Sequence, residues 1–312
     1  MSFLVVGECL VDLISEPGSW RFEAAVGGGP LNVAVGLAVA GHRVRLASEL
    51  GDDLFGRLVR EHLAGHGVDS SDLRLTGAPT SLAFARLDPA GDAAGYDFRI
   101  GWTWSGPVDL AGVECLHVGS LGAVLAPGAA AVRATVAAAR ECGIPISYDP
   151  NVRPALLDAG AAARIEELAG AADLVKVSSD DLAWLYPDRP DRVAAAGWAG
   201  RGPRLVVLTR GAAGAVGFPA GGGEPVECPA PAVRVVDTVG AGDAFTAGLL
   251  SGLAAAGALG AHAPGPLAAG PRRAHAAGAP DRGAVLAALR HAVTVAAATC
   301  THRGATGPPP VS

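Results

Sequence analysis

The sequence predicts an α/β fold, in which a doubly wound and mostly parallel β-sheet is flanked by helices. Short apolar runs rich in Val, Leu and Ile alternate with longer helical stretches along most of the chain. This alternation is typical of βαβ units with right-handed crossovers. A chain of 312 residues can bury a large core, so we expect a single domain over residues 1–312.

Seven apolar segments are predicted as strands of the main sheet, and the stretches between several of them as helices. The predicted strands are 4–7 (continued by 10–14), 43–47, 115–119, 145–148, 174–177, 205–211 and 233–236. The predicted helices are 31–40, 127–142, 244–250 and 284–300, with a further helix that is capped by 50–56 and runs to about 65. The stretch 258–283 has no apolar period and is predicted as a long loop that contains His262 and His275, and the Pro-rich C-terminal tail is expected to be unstructured.

From residue 80 the hydrophobic period changes to two, which indicates a β-hairpin inside an otherwise βα chain. Segments 81–87 and 96–100 alternate apolar and polar residues on either side of a turn at 89–92. With a strand near 20–26, they predict a small sheet apart from the main one, with strands within about 10–26 and 80–106. Its free apolar face would cover a substrate cleft, a second subunit or both. The alternative is an antiparallel edge of the main sheet.

Composition excludes several classes of partner. The formal net charge is −6 and no basic cluster is present, so nucleic acid is not expected as a partner. The five cysteines are widely spaced and odd in number, which favours free thiols in a reducing cytoplasm. The N-terminus reads as a strand rather than a signal peptide. The weakly charged run 244–261 is interpreted as a core helix followed by a loop, so no membrane partner is expected.

The segment 237–245 (Asp-Thr-Val-Gly-Ala-Gly-Asp-Ala-Phe) carries the strongest functional signal. Gly240, Ala241 and Gly242 leave the backbone N–H groups accessible to an anion at the start of a predicted helix. Asp243 beside a bound phosphate would be unfavourable unless it accepts a proton from an attacking hydroxyl. The segment therefore predicts phosphoryl transfer to an alcohol. The simpler interpretation is a helix cap with close helix–strand packing.

Two features closer to the N-terminus are candidates for binding a polar substrate. Asp12 is the one charge in an apolar run, so it is either a structural hydrogen-bonding group or an acceptor for ligand hydroxyls. Gly27, Gly28 and Gly29 precede a predicted helix that contains Asn32. This arrangement lets a ligand approach the backbone, although a plain strand–helix turn would look the same. Asn32 stands where a dinucleotide-binding GxGxxG motif needs its third glycine.

The segment 237–245 resembles the C-terminal signature of the PfkB, or ribokinase-like, carbohydrate kinase family. Residues 25–34 resemble the N-terminal signature of the same family, and Pro30-Leu31 is closer to its fructokinase branch. The pattern Asp149-Pro150-Asn151-Val152-Arg153 is similar to that of fructokinases and 2-keto-3-deoxygluconate kinases. The resemblance implies a ribokinase-like fold whose small sheet is a lid, ATP and Mg²⁺ as cofactors, K⁺ as a further ion, and a homodimer formed through the lid.

The resemblance also implies a role for each matching residue. The residues expected to bind the sugar are Asp12, Gly28, Gly29, Asn32, Asn151, Arg153 and Asp243. The residues expected to contact the nucleotide are Ser178, Thr209, Gly211, Gly240, Gly242 and Thr299. Residues 178–181 stand where the family has Asn-x-x-Glu, so Asp181 is expected to hold Mg²⁺ through water. Residues 297–300 with 304–305 resemble a segment that lines the adenine pocket and a monovalent-cation loop.

We therefore expect an ATP-dependent sugar kinase that acts on a primary hydroxyl of fructose. The alternatives within this class are 2-keto-3-deoxygluconate kinase and another sugar or nucleoside kinase. A sugar- or nucleotide-binding protein that lost catalysis is an alternative of another class, as is a dehydrogenase, which the missing GxGxxG disfavours. Lys176 is the only lysine in the chain, which excludes a Walker A loop and a protein-kinase site.

Overall fold

A computed structural model describes residues 1–87, 93–259, 278–302 and 304–305. The predicted turn at 89–92, most of the predicted loop 258–283 with His262 and His275, and the C-terminal tail lie outside the described residues. In chain order the strands are β1 (Ser2–Val6), β2 (Leu10–Ser15), β3 (Phe22–Gly27), β4 (Arg43–Gly51), β5 (Leu73–Thr76), β6 (Leu82–Leu87), β7 (Ala93–Arg99), β8 (Cys115–Gly119), β9 (Ile146–Asp149), β10 (Leu174–Ser178), β11 (Leu205–Thr209), β12 (Ala215–Pro219) and β13 (Val226–Cys228).

The helices connect these strands and cover the sheet. They are α1 (Gly29–Val39), α2 (Leu54–Gly65), α3 (Ala129–Glu141), α4 (Ala161–Ala171), α5 (Ser179–Leu185), α6 (Asp191–Ala199), α7 (Ala241–Ala255) and α8 (Arg282–Thr299). The run 244–261 falls largely in α7, whose side chains are mostly buried. None of the helices within the described ranges is long and apolar enough to cross a membrane.

The predicted fold class is confirmed. Within the described residues the main sheet has nine strands in the order β13-β12-β11-β10-β9-β8-β1-β4-β5, and only β12 and β13 run antiparallel to their neighbours. One apolar core lies between the sheet and α1, α2, α7 and α8, and a second core lies on the opposite face with α3 to α6. Because both faces are covered, the central strands are buried along nearly their whole length and do not alternate apolar and polar residues, although β9 and β10 each carry a buried charged residue.

A separate small sheet has the order β3-β2-β6-β7. The pairs β2–β3 and β6–β7 are antiparallel, whereas β2 and β6 are parallel. The expected sheet apart from the main one is therefore present, and the alternative of an antiparallel edge of the main sheet is wrong.

Two strand predictions for the main sheet are wrong. Residues 10–14 do not continue β1, because the chain leaves the main sheet after Val6 and β2 belongs to the small sheet. Residues 233–236 are not a strand: Val235 and Val236 are 58% and 52% exposed, and the segment has no sheet neighbour. Valine-rich composition favours a strand only where a neighbouring strand can pair with it. The edge strands β5 and β13, and β12 next to β13, were not predicted from the sequence.

Helices α7 and α8 pack closely because two glycines of α7 face α8. A Cβ added to Gly252 would lie 2.8 Å from Cα of Ala288, and one added to Gly248 would lie 3.0 Å from Cα of Ala292. These neighbours are backbone atoms, which cannot rotate away. The close approach fixes α7 against α8 and thereby the start of α7 at the edge of the sheet.

We predict that Gly252→Ala lowers the free energy of unfolding by roughly 1–3 kcal/mol, because the added methyl group overpacks the α7–α8 contact. Urea unfolding of the purified variant measures this change. The matched control is Gly197→Ala in α6, where an added Cβ meets no atom within 4 Å. That control should gain up to about 1 kcal/mol from helix propensity. Equal effects of the two substitutions would contradict the packing argument.

Candidate active site

The turn before α7 contains the predicted anion-binding residues Gly240, Ala241 and Gly242, here called the anion loop, and it has a defined conformation. Gly240 is the N-cap of α7 with φ of +75°, and a Cβ there would overlap Ala305. The Asp237 carboxylate accepts hydrogen bonds from the N–H groups of Val239 (3.0 Å) and Gly304 (2.9 Å). The amide of Ala241 donates to the carbonyl of Thr238 at 3.2 Å. The structure therefore ties this turn to residues 304–305, and a side chain at position 240 would break it.

The N–H groups of Gly242 and Asp243 lie in the first turn of α7. Groups at this position of a helix have no carbonyl four residues earlier within the helix to accept from them. They sit at the positive end of the helix dipole, where an anion is stabilised. The predicted anion-facing amides were those of Gly240, Ala241 and Gly242, but the amide of Ala241 is already bonded within the turn. The geometry thus favours Gly242 and Asp243 as the anion-facing amides.

Asp243 occupies the first turn of α7 and is 8% exposed. The Asn32 side-chain amide donates to its Oδ2 at 2.8 Å. A Cβ added to Gly29 would lie 3.3 Å from Oδ1 of Asp243 and 2.9 Å from the amide nitrogen of Asn151. The structure therefore brings Asn32, Gly29, Asn151 and Asp243 together, although they come from three distant parts of the sequence.

Asp12 and Arg153 complete this cluster. Asp12 lies on β2 of the small sheet, and burial raises its pKa to about 6, with the nearby Arg153 opposing and Asp243 reinforcing the shift. Arg153 is exposed, and its Nη1 donates to Oδ1 of Asn151 at 2.8 Å. Gly27 faces Asp12 so closely that a Cβ there would overlap the carboxylate. One end of the small sheet therefore brings a carboxylate to the cluster around Asp243.

The pKa of Asp243 is raised to about 6. Burial is the largest cause, and the negative charge of Asp149 adds to it. The Asn32 hydrogen bond and the positive charges of Lys176 and Arg153 act in the opposite direction. The carboxylate is thus ionised at neutral pH and has a pKa close to the working range of a general base.

A buried ion pair beneath the loop was missed by the sequence analysis. Lys176 on β10 lies 3.0 Å from Oδ2 of Asp149 on β9, and both side chains are buried. The Thr246 hydroxyl on α7 lies 3.0 Å from the same oxygen. The sequence did contain a signal for such a pair, because a lone lysine within an apolar strand needs a buried partner. At the level of the sequence, Lys176 served only to exclude other kinase classes.

Comparison with known proteins agrees with this arrangement. The family model described as pfkB family carbohydrate kinase matches residues 2–311. The chain belongs to the pfkB family of carbohydrate kinases. A fructokinase of Klebsiella pneumoniae is 36% identical over 263 residues, which cover 81% of this chain and 84% of the relative.

Two solved structures have the same fold. A double mutant of fructokinase from Vibrio cholerae O395, with fructose, ADP and potassium ion bound, has a TM-score of 0.80 and 26% identity, covering 97% of this chain and 93% of that chain. The aminoimidazole riboside kinase of Salmonella enterica, complexed with aminoimidazole riboside and an ATP analogue, has a TM-score of 0.78 and 25% identity, covering 98% and 95%.

In this pfkB kinase, Ser178 and Asp181 form a capping box at the start of α5. The Asp181 carboxylate accepts from the N–H and hydroxyl of Ser178 (2.9 and 2.7 Å) and from the N–H of Val152 (2.7 Å). A carboxylate that already accepts three hydrogen bonds does not fit a direct Mg²⁺ ligand. The described residues also contain no group of three or more His, Cys, Asp or Glu that could hold a metal. The predicted contact through water stays a prediction.

The remaining predicted nucleotide residues lie at two places. Thr209 ends β11, directly beside Ser178 in the sheet, and Gly211 follows it with φ of +52°. Thr299 is buried near the end of α8, and its hydroxyl donates back to the Val295 carbonyl at 3.2 Å. The segment after Thr299 contacts the loop, because the Cys300 carbonyl accepts from Val236 N–H at 2.8 Å. Thr299 itself is thus turned into its helix.

Proposed function

We propose that this carbohydrate kinase transfers the γ-phosphoryl group of ATP to a primary hydroxyl of fructose. The observation that carries the proposal is the placement of Asp243. Its buried carboxylate lies in the first turn of α7, beside the amides that suit an anion, and next to three substrate-type polar groups, Asn32, Asn151 and Asp12. The identity to curated fructokinases supports fructose as the acceptor.

In the proposed reaction Asp243 is the general base. Asn32 occupies Oδ2, so Oδ1, which faces Gly29, is the atom that accepts the proton of the sugar hydroxyl. The hydroxyl oxygen attacks the γ-phosphorus, the bond to the β-phosphate oxygen breaks, and ADP leaves. The amides of Gly242 and Asp243 stabilise the charge on the transferring group, with Gly240 setting the turn and Ala241 held within it.

The sugar would bind between α1, the segment after β9 and the small sheet. Asp12 and Asn32 are suited to accept and donate hydrogen bonds to sugar hydroxyls, and Gly28 and Gly29 allow close approach of the ring. Asn151 has φ of +40°, a strained conformation for a residue other than glycine, which is common at ligand sites. The small sheet would act as a lid over the sugar, within a single domain that comprises residues 1–312.

ATP would bind along the edge formed by Ser178, Thr209, Gly211 and the residues after Thr299. Mg²⁺ would enter as the ATP complex, where it neutralises phosphate charge, with Asp181 in contact only through water. K⁺ is proposed near Asp237 and the carbonyls of residues 300–302 and 304, oxygen donors that suit a hard cation. The free thiols of the five cysteines support a cytoplasmic location, and the net negative charge favours neither nucleic acid nor an anionic membrane as a partner.

The position of Arg153 favours a second candidate for the acceptor substrate, 2-keto-3-deoxygluconate. It is an exposed guanidinium next to Asn151, and it could pair with the carboxylate of an acidic sugar in a bidentate contact. Fructose has no carboxylate, so this residue is the point at which the two candidates differ.

The test is ADP release from Mg·ATP with fructose, ribose, 2-keto-3-deoxygluconate, adenosine and fructose 6-phosphate. We expect turnover with fructose, and a loss of at least ~10²-fold in Asp243→Asn because the general base is removed. Asp188→Asn, which changes an exposed aspartate, is the control and should keep wild-type turnover. Near wild-type turnover in Asp243→Asn would remove Asp243 from the mechanism. Turnover with the keto-deoxy acid alone would select the second candidate, and ATP binding without turnover would indicate a binding protein.

We also propose that two copies of the chain associate through the small sheet. Trp20 is 86% exposed and Phe22 packs edge-to-face on Phe84 at 6.0 Å, beside a cleft of about 340 Å³. Such an exposed aromatic patch is suited to a second copy of the same sheet. Sedimentation equilibrium should give twice the chain mass, and Trp20→Asp should give the monomer mass. A wild-type monomer at micromolar concentration would contradict the dimer.

A further inference from the structure

Lys176 is a buried charge that the proposed reaction does not use directly. It is 4% exposed in the middle of β10, between the apolar residues Val175 and Val177. A buried ammonium is strongly unfavourable unless it is paired and hydrogen-bonded. Its location directly below the start of α7 raises the question of which charges it balances.

The ammonium of Lys176 lies immediately behind the anion loop. A Cβ added to Gly242 would lie 3.2 Å from Nζ. Nζ also lies 3.0 Å from Oδ2 of Asp149. The Thr246 hydroxyl lies 3.0 Å from that oxygen and 3.0 Å from the Gly242 carbonyl. Two strands and the first turns of α7 therefore share one buried hydrogen-bond network.

The charges around Asp243 come from every element packed against it. They are Asp149 on β9, Lys176 on β10, Arg153 after β9 and Asp12 on β2, and α1 contributes the neutral Asn32. Lys176 stays protonated, because Asp149, Asp181 and Asp243 together raise its pKa despite its burial. His117 stays neutral, since burial and Lys176 lower its pKa to about 3. Lys176 is therefore a permanent positive charge beneath a site that gathers negative charge.

We propose that Lys176 is a positioning residue for phosphoryl transfer, whose buried ammonium behind Gly242 aligns Asp149 and Thr246 under the first turns of α7 and offsets the negative charge of Asp243. The inference rests on the proposed role of Asp243 as general base. It predicts that Lys176 and Asp149 act on Asp243 with opposite signs. A structural ion pair alone would not produce this pattern.

The first readout is the acidic limb of kcat/KM against pH. In the wild type, activity should fall as pH drops through about 6, because protonated Asp243 cannot accept the hydroxyl proton. Lys176→Met removes a positive neighbour and should move this limb to higher pH by roughly 0.5–1 unit. Asp149→Asn removes a negative neighbour and should move it to lower pH by a similar amount. The double variant, which removes the whole pair, should lie between the two.

Arg140→Met is the matched control for loss of a buried cation. Arg140 is also buried, and it donates to the Ala171 carbonyl at 2.6 Å, away from α7. This variant should lose thermal stability but keep the wild-type position of the acidic limb. Stability loss and a lower kcat in Lys176→Met and Asp149→Asn, with no movement of the limb in either, would overturn the inference.

The second readout does not depend on turnover. Titration of ¹³C-labelled aspartate carboxylates by NMR, with the Asp243 signal assigned from Asp243→Asn, should give the same opposite shifts. Opposite shifts in a protein that phosphorylates no acceptor would support the inference while the proposed function fails. Fructose turnover with an unmoved Asp243 titration would overturn the inference alone. If Lys176→Met does not fold, Asp149→Asn decides, and an unchanged midpoint in that variant counts against the proposal.

Discussion

The proposed site depends on the buried carboxylate of Asp243, which lies where the negatively charged phosphoryl group is expected to bind. Asp243 lies in the first turn of α7, at the end of the helix that attracts anions. Burial and Asp149 disfavour its ionised form, while Asn32, Lys176 and Arg153 favour it. The balance leaves a carboxylate that is ionised at neutral pH and still basic enough to accept a proton.

The sheet topology explains how these groups meet. The parallel strands β9 and β10 end at the same edge, and they carry Asp149, Asn151 and Lys176 to the start of α7. The chain leaves the main sheet after β1 to form β2, so the small sheet returns Asp12 to that edge. Close packing of α7 on α8 through Gly248 and Gly252 fixes the position of α7, which carries Asp243. Ligands of open α/β sheets bind at this kind of edge.

Much of the fold and part of the site could be predicted from the sequence. The βα alternation predicted the main sheet, and the change to a period of two predicted the small sheet. Both predictions were possible because burial on one or both faces of a strand determines which of its positions are apolar. The string 237–245 located the loop, and backbone geometry requires its first glycine: Gly240 has a positive φ, and a Cβ there would overlap Ala305. Residues 233–236 were wrongly predicted as a strand, because strand propensity does not reveal whether a neighbouring strand is present to pair with them.

The pairing of charges could not be predicted in the same way. Asp149 and Lys176 are 27 residues apart in the sequence, and their contact follows only from the order of strands in the sheet. Asp181 is expected to contact Mg²⁺ through water, and the structure shows that its carboxylate also accepts hydrogen bonds in the cap of α5 and from the N–H of Val152. A sequence shows that a carboxylate is present at a motif position. It does not show how many hydrogen bonds that carboxylate already accepts.

The most direct test of this account is a crystal structure with fructose and a non-hydrolysable ATP analogue bound together. The account predicts that the primary hydroxyl lies within about 3 Å of Oδ1 of Asp243, with the γ-phosphate on the N–H groups of Gly242 and Asp243. A sugar whose primary hydroxyl contacts Asp12 instead, with the γ-phosphate away from α7, would contradict the assignment of Asp243 as the base.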